Sequence, residues 1–299
     1  MGKLVRAIAE NGSAACWALD SKDMVSALEE IHHSSAVITA ATGRLLTAAS
    51  IMGSMLKGEN DSVTLRVMGD GPAGSLVAVA DALGNAKAYA VNPVVELPLN
   101  QYGKLDVAGA VGRGGNLVVV KDLGLREPYV GMVPLASGEI AEDITSYFAV
   151  SEQVPTVCAL GVLVNPDLTV QAAGGFLLQM LPGAGEEDIS RVEENTGKLP
   201  PVTKLLAGGM TPEELACAAL EGMGPQVLDV RTVEYRCGCS RQRVRDALLS
   251  LNAGELRAMA EEDGGAEVCC HFCPRKYRFG RDELLAMISE KTVDNSTDL

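Results

Sequence analysis

Cys237-Gly238-Cys239 and Cys270-His271-Phe272-Cys273 are two close-spaced cysteine pairs that determine how the C-terminal part of this chain folds. Thirty residues separate them, which is enough chain to bring the second pair back to the first. Two such pairs can converge on one metal ion, and four thiolates in a tetrahedron are a ligand set that zinc prefers. The spacing therefore predicts one Zn²⁺ site with all four cysteines as ligands.

The first pair has the spacing Cys-x-Cys, which leaves its two sulfurs close enough for oxidation to join them. Closed four-cysteine sites are usually structural, so the spacing alone leaves both a structural zinc knuckle and a redox switch open. Cys269 also permits a register with Cys273. We prefer Cys270 because its tighter loop suits a knuckle, and we expect His271 to be a bystander.

The cysteines belong to a C-terminal module that we place at residues 231–299. We predict helices over residues 241–251, 255–260 and 282–289 and a brief strand at 277–279. So small a module with few aromatic residues is marginally stable without a staple, and structural zinc contributes on the order of 10 kcal/mol. Four basic residues adjoin the pairs and are expected to offset the negative charge of the site: Arg236, Arg241, Arg275 and Lys276.

Residues 183–230 precede the module and are interpreted as a helical linker, because they carry too little apolar surface to fold alone. Thr211-Pro212-Glu213-Glu214 has the pattern of a capping box with proline at the first helical position. The helix that it opens presents an apolar face made of Leu215, Ala219, Leu220 and Met223.

Residues 1–182 show runs of strands interrupted by segregated helices, which predicts an α+β domain. Asn11-Gly12 lies between two apolar runs and indicates an opening β-hairpin. Helices are predicted over residues 21–31, 34–57 and 140–148, the second rich in small residues and therefore closely packed. Strands are predicted over residues 62–68, 75–80, 86–91, 116–121, 157–164 and 170–179.

Composition limits the partners and the compartment. The 299-residue chain has a formal net charge of −14, which argues against nucleic acid or an anionic membrane as the main partner. The N-terminus has no signal-peptide pattern, and no apolar run approaches the roughly 18 residues that span a bilayer. We therefore expect a cytoplasmic protein with reduced thiols, in which Cys16, Cys158 and Cys217 are buried small hydrophobic residues.

No enzyme signature survives inspection. Gly69-Asp70-Gly71-Pro72-Ala73-Gly74 fits a dinucleotide-binding glycine pattern, but another predicted strand follows it where a helix is needed. The sequence contains no P-loop motif and no G-x-S-x-G nucleophile elbow. We predict that the protein is not an enzyme.

The cysteine spacing, followed by Tyr277 and Phe279, closely resembles the 33-kDa chaperonin family. Further stretches with this resemblance are Ser151-Glu152-Gln153-Val154-Pro155-Thr156 and Gly175-Phe176-Leu177-Leu178-Gln179-Met180-Leu181-Pro182. The resemblance implies a redox-regulated, ATP-independent holdase that is inactive when reduced and zinc-bound.

In that family, oxidation pairs the cysteines within each motif, which implies the disulfides Cys237–Cys239 and Cys270–Cys273 here. Zinc is then lost, the module and linker loosen, and unfolding proteins are captured, often by a dimer. The residues support the same hypothesis, because a linker poor in core residues belongs to the low-stability part of a protein. Its release would expose the apolar face of the linker and the sheet surface beneath it as a client-binding patch.

Two rival functions remain open at this stage. The first is a zinc-ribbon nucleic-acid binder that uses the basic residues around the cysteines, which are Arg241, Arg243, Arg245, Arg275, Lys276 and Arg278. The second is an enzyme of the N-terminal domain with structural zinc, which would need a pocket with perturbed titrating groups.

Overall fold

The structure, a computed structural model, describes the backbone of residues 1–297 and the side chains of residues 1–290. The chain divides into two compact units between Arg236 and Cys237. The predicted boundaries follow residues 182 and 230, and the predicted linker, residues 183–230, lies within the first unit. Sheets and helices mix throughout the described residues, so the predicted α+β class is confirmed.

The first unit contains two antiparallel sheets of five strands each, numbered here in chain order. Sheet 1 has the order β10-β1-β2-β9-β8 and consists of β1 (Gly2–Ile8), β2 (Ala14–Asp20), β8 (Thr156–Val164), β9 (Val170–Met180) and β10 (Gln226–Val233). Sheet 2 has the order β5-β4-β3-β6-β7 and consists of β3 (Ser62–Gly69), β4 (Ser75–Asp81), β5 (Ala86–Ala90), β6 (Gly115–Asp122) and β7 (Tyr129–Pro134). The predicted opening hairpin is confirmed, with Gly12 at a φ of 72° in the turn.

Helices pack against both sheets in the core of this unit. They are α1 (Lys22–His32), α2 (Ala36–Ser54), α3 (Val107–Val111) and α4 (Ala141–Tyr147), which continues into a π-helical turn (Phe148–Glu152). The small residues of α2 allow the predicted close packing. A Cβ at Gly53 would lie 2.5 Å from the backbone oxygen of Asp81, and one at Gly43 would lie 2.8 Å from the side chain of Val25.

Helix α2 is also long and apolar enough to cross a membrane by length and composition. The prediction that no segment approaches this limit is therefore wrong for residues 36–54. However, 89% of the most apolar window of α2 is buried inside the protein. The apolar character of α2 is explained by its place in the core between the two sheets.

Three helices and a strand occupy most of the predicted linker. The helices are α5 (Glu186–Lys198), α6 (Val202–Ala207) and α7 (Pro212–Ala219). The capping box of α7 is confirmed: Glu214 N donates to Thr211 Oγ1 at 3.3 Å, and Thr211 N donates to Glu214 Oε2 at 2.8 Å. The helical interpretation is wrong for residues 226–230, which belong to β10 and pair with β1 from Ile8 to Val5.

The remaining comparisons in the first unit concern one glycine-rich connection and two short elements. The glycine pattern at residues 69–74 forms the connection between β3 and β4, as expected from its proline. The edge strand β7 and the short helix α3 were not predicted. Both are short, and β7 contains Gly131 and Pro134, which weaken the sequence signal of a strand.

The second unit is a small helical and hairpin module. It contains α8 (Arg241–Ser250), α9 (Ala253–Glu261), β11 (Gly265–Cys269), β12 (Lys276–Gly280) and α10 (Arg281–Thr297). The three predicted helices and the strand at 277–279 are confirmed, whereas β11 was missed. Its buried core is small and consists of Leu248, Leu256, Ala260, Phe279, Leu284, Met287 and Ile288.

A buried carboxylate organises the loop before α4. Asp143 is fully buried, and its Oδ1 accepts hydrogen bonds from the backbone N–H groups of Ala136 at 2.7 Å, Ser137 at 3.0 Å and Gly138 at 3.3 Å. Its Oδ2 accepts from Ile140 N at 2.9 Å. Ile140 has a φ of 69°, which is unfavourable for a β-branched residue. The carboxylate therefore holds a strained turn in place.

We expect Asp143→Asn to destabilise the first unit by about 3 kcal/mol, because an amide NH₂ would replace one acceptor oxygen and face backbone donors. Urea unfolding followed by fluorescence of Trp17, the single tryptophan of the chain, measures this. The adjacent exposed Glu142→Gln is the control and should change stability by less than about 0.5 kcal/mol. Equal stability of the two variants would contradict this account of the turn.

Candidate metal centre

The structure brings four cysteine sulfurs of the second unit together. The Sγ atoms of Cys237, Cys239, Cys270 and Cys273 all lie within 4.8 Å of one another. Sγ of Cys237 is 3.6 Å from that of Cys270, and Sγ of Cys239 is 3.4 Å from that of Cys273. The cluster is partly buried at all four positions.

This arrangement fits a tetrahedral metal ion. Zn–S bonds of about 2.3 Å in a tetrahedron place the sulfurs about 3.8 Å apart. The two shortest contacts, at 3.4 and 3.6 Å, are close to that value, and all four sulfurs lie within 4.8 Å of one another. Four thiolates complete the coordination shell and leave no open position for a substrate. The donor set suits a soft or borderline ion such as zinc more than calcium or magnesium, which prefer oxygen ligands.

Local backbone structure positions each pair. Cys237 and Cys239 precede α8, whose N-terminus is capped by Ser240 Oγ accepting from Arg243 N at 3.2 Å. The second pair occupies the turn between β11 and β12, where Cys270 N donates to Arg275 O at 3.0 Å. The segment before a capped helix and a hairpin turn thus set the sulfur geometry.

The two registers that the sequence left open are distinguished by position. Cys269 is the last residue of β11 and is exposed, with its sulfur 4.0 Å from Glu267 Oε1. Cys270 lies one residue further on and joins the cluster. Since successive strand residues point to opposite faces, the end of β11 directs only one of these neighbours toward the other sulfurs.

Cys239 has its own polar environment. The hydroxyl of Tyr277 donates to Cys239 Sγ at 3.1 Å. The guanidinium of Arg275 donates to Cys239 O at 3.3 Å, and that of Arg243 donates to Gly238 O at 2.9 Å. The sequence placed Tyr277 in a predicted strand and in the family resemblance, but it gives no indication that the hydroxyl reaches a sulfur.

The basic residues expected to offset the charge of the site are arranged differently. Arg275 interacts with the charges of Cys239 and Cys273. Arg241 pairs with Glu283 at 2.5 Å, Lys276 with Glu267 at 3.3 Å and Arg236 with Glu234 at 3.1 Å. The expectation is therefore supported for Arg275, whereas the other three have carboxylate partners of their own.

The thiols of Cys237, Cys239 and Cys273 differ in pKa. Burial opposes ionisation at Cys239, but hydrogen bonds from Tyr277 and the neighbouring thiols outweigh it and lower the pKa of this thiol to about 7. Burial, together with hydrogen bonds to the other sulfurs, raises the pKa of Cys273 to about 12. Burial also raises the pKa of Cys237. The protein alone therefore favours the thiolate at Cys239, and a cation is needed to hold Cys237 and Cys273 deprotonated.

The remaining cysteines lie in the first unit. Cys16 is buried, while Cys158 and Cys217 are partly buried, so the expectation of burial is met fully only at Cys16. Burial raises the pKa of Cys16 far above its usual range, with a smaller contribution from Cys217, and raises that of Cys158 to about 12. Neither Cys16 nor Cys158 is a reactive thiolate in this state.

The predicted apolar face of the linker packs on sheet 1. Leu215, Ala219 and Leu220 are fully buried, and Met223 packs against them at the edge. They cover one face of sheet 1, and helix α2 packs on the opposite face. The covered face includes the side chains of Cys16, Ala18, Phe176 and Leu178. Strand β2 is consequently buried on both faces, and only its last residue, Asp20, is partly exposed.

The chain is similar to the members of one known protein family. The family model described as Hsp33 protein matches residues 2–280. A 33 kDa chaperonin of Clostridioides difficile (strain 630) is 46% identical over 287 residues, with 96% of this chain and 98% of that protein covered. A 33 kDa chaperonin of Bacillus subtilis (strain 168) is 44% identical over 292 residues, with 98% and 100% covered.

The fold has a counterpart among solved structures. The crystal structure of the 33 kDa chaperonin (heat shock protein 33 homologue) of Thermotoga maritima superimposes with a TM-score of 0.87. It is 35% identical in sequence, and the match covers 97% of this chain and 98% of that one.

Binding of Co²⁺ to the reduced protein tests the ligand set. We expect about one equivalent to bind with the absorption bands of tetrahedral cobalt–thiolate coordination. Cys270→Ser should lower the affinity by more than about 100-fold, because loss of a ligand exceeds the 10–100-fold effect of outer-shell changes. The neighbouring Cys269→Ser is the matched control and should bind as the parent protein does. The opposite ranking of these two variants would assign the ligand to Cys269.

Proposed function

This chain belongs to the Hsp33 protein family, and we propose that it is a redox-regulated, ATP-independent holdase. It is inactive while reduced and zinc-bound, and oxidation activates it to protect unfolding proteins from aggregation. The observation that carries the proposal is the cluster of four sulfurs within 4.8 Å in a unit with a small core. That cluster makes the fold of the unit depend on the redox state of its thiols.

Zinc acts as the staple of the second unit. Seven buried hydrophobic residues form the described core of this unit, which is little for a module of this size. One Zn²⁺ held by Cys237, Cys239, Cys270 and Cys273 contributes on the order of 10 kcal/mol to folding. A chemical change that removes the thiolates therefore removes the main source of stability.

Oxidation by a peroxide removes the thiolates by converting them to disulfides. Two thiols give up two electrons and two protons and form one disulfide, while the peroxide O–O bond breaks and each oxygen leaves as water or an alcohol. From the family resemblance we assign the disulfides to Cys237–Cys239 and Cys270–Cys273. A disulfide sulfur is a poor metal ligand, so zinc leaves and the unit loosens.

The linker carries the change to a client-binding surface. We assign residues 1–182 to the core domain, 183–230 to the linker and 231–299 to the switch. Only residues 234–236 separate β10 from Cys237, so loosening of the module acts on the chain that follows the linker. When α7 leaves sheet 1, Leu215, Ala219, Leu220 and Met223 become exposed together with the sheet face that they cover. Exposed apolar surface of this kind binds unfolded chains.

The partners of the active protein follow from the same reasoning. Unfolded or misfolded polypeptides bind the apolar surface, and the oxidised form works as a homodimer in the cytoplasm, where thiols are normally reduced. The net charge of −14 keeps the opened protein soluble. ATP, a nucleic acid and a membrane have no part in this cycle, and neither does enzymatic catalysis.

The nucleic-acid rival loses its main support. Arg241 and Arg245 pair with Glu283 and Glu290 at 2.5 Å. Lys276 and Arg278 share Glu267, at 3.3 Å and 2.7 Å. Phosphate binding would require these ion pairs to be broken, so the paired basic residues are a poor binding surface for nucleic acid.

Light scattering from a heat-unfolding client enzyme tests the proposal. The reduced, zinc-bound protein should leave aggregation unchanged, whereas peroxide treatment at elevated temperature should produce suppression at stoichiometric amounts. Replacing both Cys237 and Cys239 by serine should abolish zinc retention and remove the dependence on peroxide, because the metal is lost without oxidation.

Cys269→Ser is the control for this measurement, since it removes a thiol next to the cluster and should behave as the parent protein. Peptide mapping of the oxidised protein identifies the disulfides. Equal failure of the reduced and oxidised forms, or unchanged zinc content and regulation in the double variant, would contradict the proposal.

Loosening the linker by mutation should imitate oxidation. Leu215 is fully buried against sheet 1, and Leu215→Ala should weaken its docking by about 2–5 kcal/mol. We expect this variant to suppress aggregation while still reduced and zinc-bound. Glu221→Ala, an exposed change near the same helix end, should remain inactive until oxidised. If both variants stay inactive when reduced, the client surface lies elsewhere.

A further inference from the structure

Cys239 differs from the other three cysteines of the cluster by its contact with an aromatic hydroxyl. Tyr277 Oη donates a hydrogen bond to Cys239 Sγ at 3.1 Å. Tyr277 lies on β12, where it pairs with Val268 of β11 in an antiparallel hairpin. The hairpin therefore fixes the position of the ring relative to the cysteine turn that it encloses.

Arg275 strengthens the same arrangement from the other side. Its guanidinium donates to Cys239 O at 3.3 Å and also interacts with the hydroxyl of Tyr277. The side chain of Cys239 is thus held by Tyr277 of β12, and its main chain by Arg275, which directly precedes that strand. In contrast, the exposed Arg278 on the same strand points to Glu267, at 2.7 Å, and does not serve the cluster.

A hydrogen bond to a thiolate changes its chemistry. The donor draws electron density from the sulfur lone pairs, and a thiolate attacks a peroxide through those lone pairs. For a sulfur that a bound metal ion would keep fully ionised, nucleophilicity falls as the basicity of the sulfur falls, with a Brønsted slope of about 0.4–0.5. Outer-shell donors also orient metal ligands and tune their reactivity. The hydroxyl of Tyr277 therefore both positions Cys239 and restrains it.

We propose that Tyr277 is a positioning residue that shields Cys239 from oxidation and so sets the amount of oxidant needed to open the metal centre. This inference rests on the proposed function. The restrained step is attack of the Cys239 thiolate on the O–O bond of a peroxide, which gives a sulfenic acid and releases hydroxide. A neighbouring thiol of the cluster then forms the disulfide and releases water.

Tyr277→Phe removes only the hydroxyl oxygen and keeps the ring in the hairpin. The full-length, reduced and zinc-loaded variant is treated with hydrogen peroxide for timed intervals. Two readouts are followed: zinc release into a colorimetric chelator, and loss of the Cys239 thiol by mass spectrometry of alkylated peptides. We expect Cys239 to be oxidised about threefold faster than in the parent protein. Zinc release should accelerate with it.

Tyr129→Phe is the matched control, because it removes a hydroxyl that contacts Ser151 at 3.1 Å in the first unit. Its oxidation rate should equal that of the parent protein. The peroxide dependence separates shielding from a general loosening of the module. A rate that rises in proportion to peroxide supports shielding, whereas a rate that reaches a plateau reports opening of the module and overturns it.

Other outcomes are equally decisive. An unchanged or slower rate at Cys239 in Tyr277→Phe, or the same acceleration at all four cysteines, overturns the shielding role. Loss of zinc from the reduced variant also overturns it, because the hydroxyl would then be required for binding itself. If the parent protein neither binds zinc nor releases it with peroxide, the proposed function fails as well, so the two failures are distinguishable.

Discussion

Electrostatic repulsion among four sulfurs is the constraint on which the second unit depends. Held within 4.8 Å of one another, four thiolates are incompatible unless protons or a cation neutralise them. The protein lowers the pKa of Cys239 and raises that of Cys273, so its own groups favour one charge among several thiols. A divalent ion resolves the remaining conflict by replacing protons at every position. With such an ion bound, folding of this unit would be coupled to the chemical state of its sulfur atoms.

The first unit has no such dependence, because its stability comes from apolar burial on both faces of sheet 1. One face of β2 packs on the core around α2, and the other lies beneath the helices of the linker. The two faces are unequal. The core around α2 includes large residues such as Leu45 and Tyr147, whereas much of the sheet surface beneath the linker is alanine. Removing the linker therefore uncovers apolar surface at a modest cost and leaves the main core intact.

Sequence predicted those parts of the molecule that local chemistry determines. The cysteine spacing, the Asn11-Gly12 turn, the small residues of α2 and the capping box of α7 each carry their own physical reason, and the family resemblance is confirmed. Residues 226–230 of β10 were misassigned to the helical linker, and Val227, Leu228 and Val230 are exposed in the structure. Its extended state comes from pairing with β1 at the far end of the chain, which no local pattern records. The contacts of Arg241 with Glu283 and of Tyr277 with Cys239 likewise join residues about 40 positions apart, and local sequence does not predict them.

In the proposed cycle, the separation into two units lets one chain respond to an oxidant without being destroyed by it. Peroxide does not react with packed aliphatic side chains, whereas it oxidises the thiolates of a metal centre. Among the described residues, the clustered thiols lie in the second unit, while the first unit keeps Cys16 buried, with its pKa raised so that it stays protonated. In the proposed cycle, oxidation thus acts on the unit whose fold depends on sulfur and spares the unit whose fold depends on apolar burial. The linker packs on sheet 1 within the first unit and precedes the second unit in the chain, so in the proposed cycle its docking is the contact through which chemistry at the cysteines becomes exposed surface.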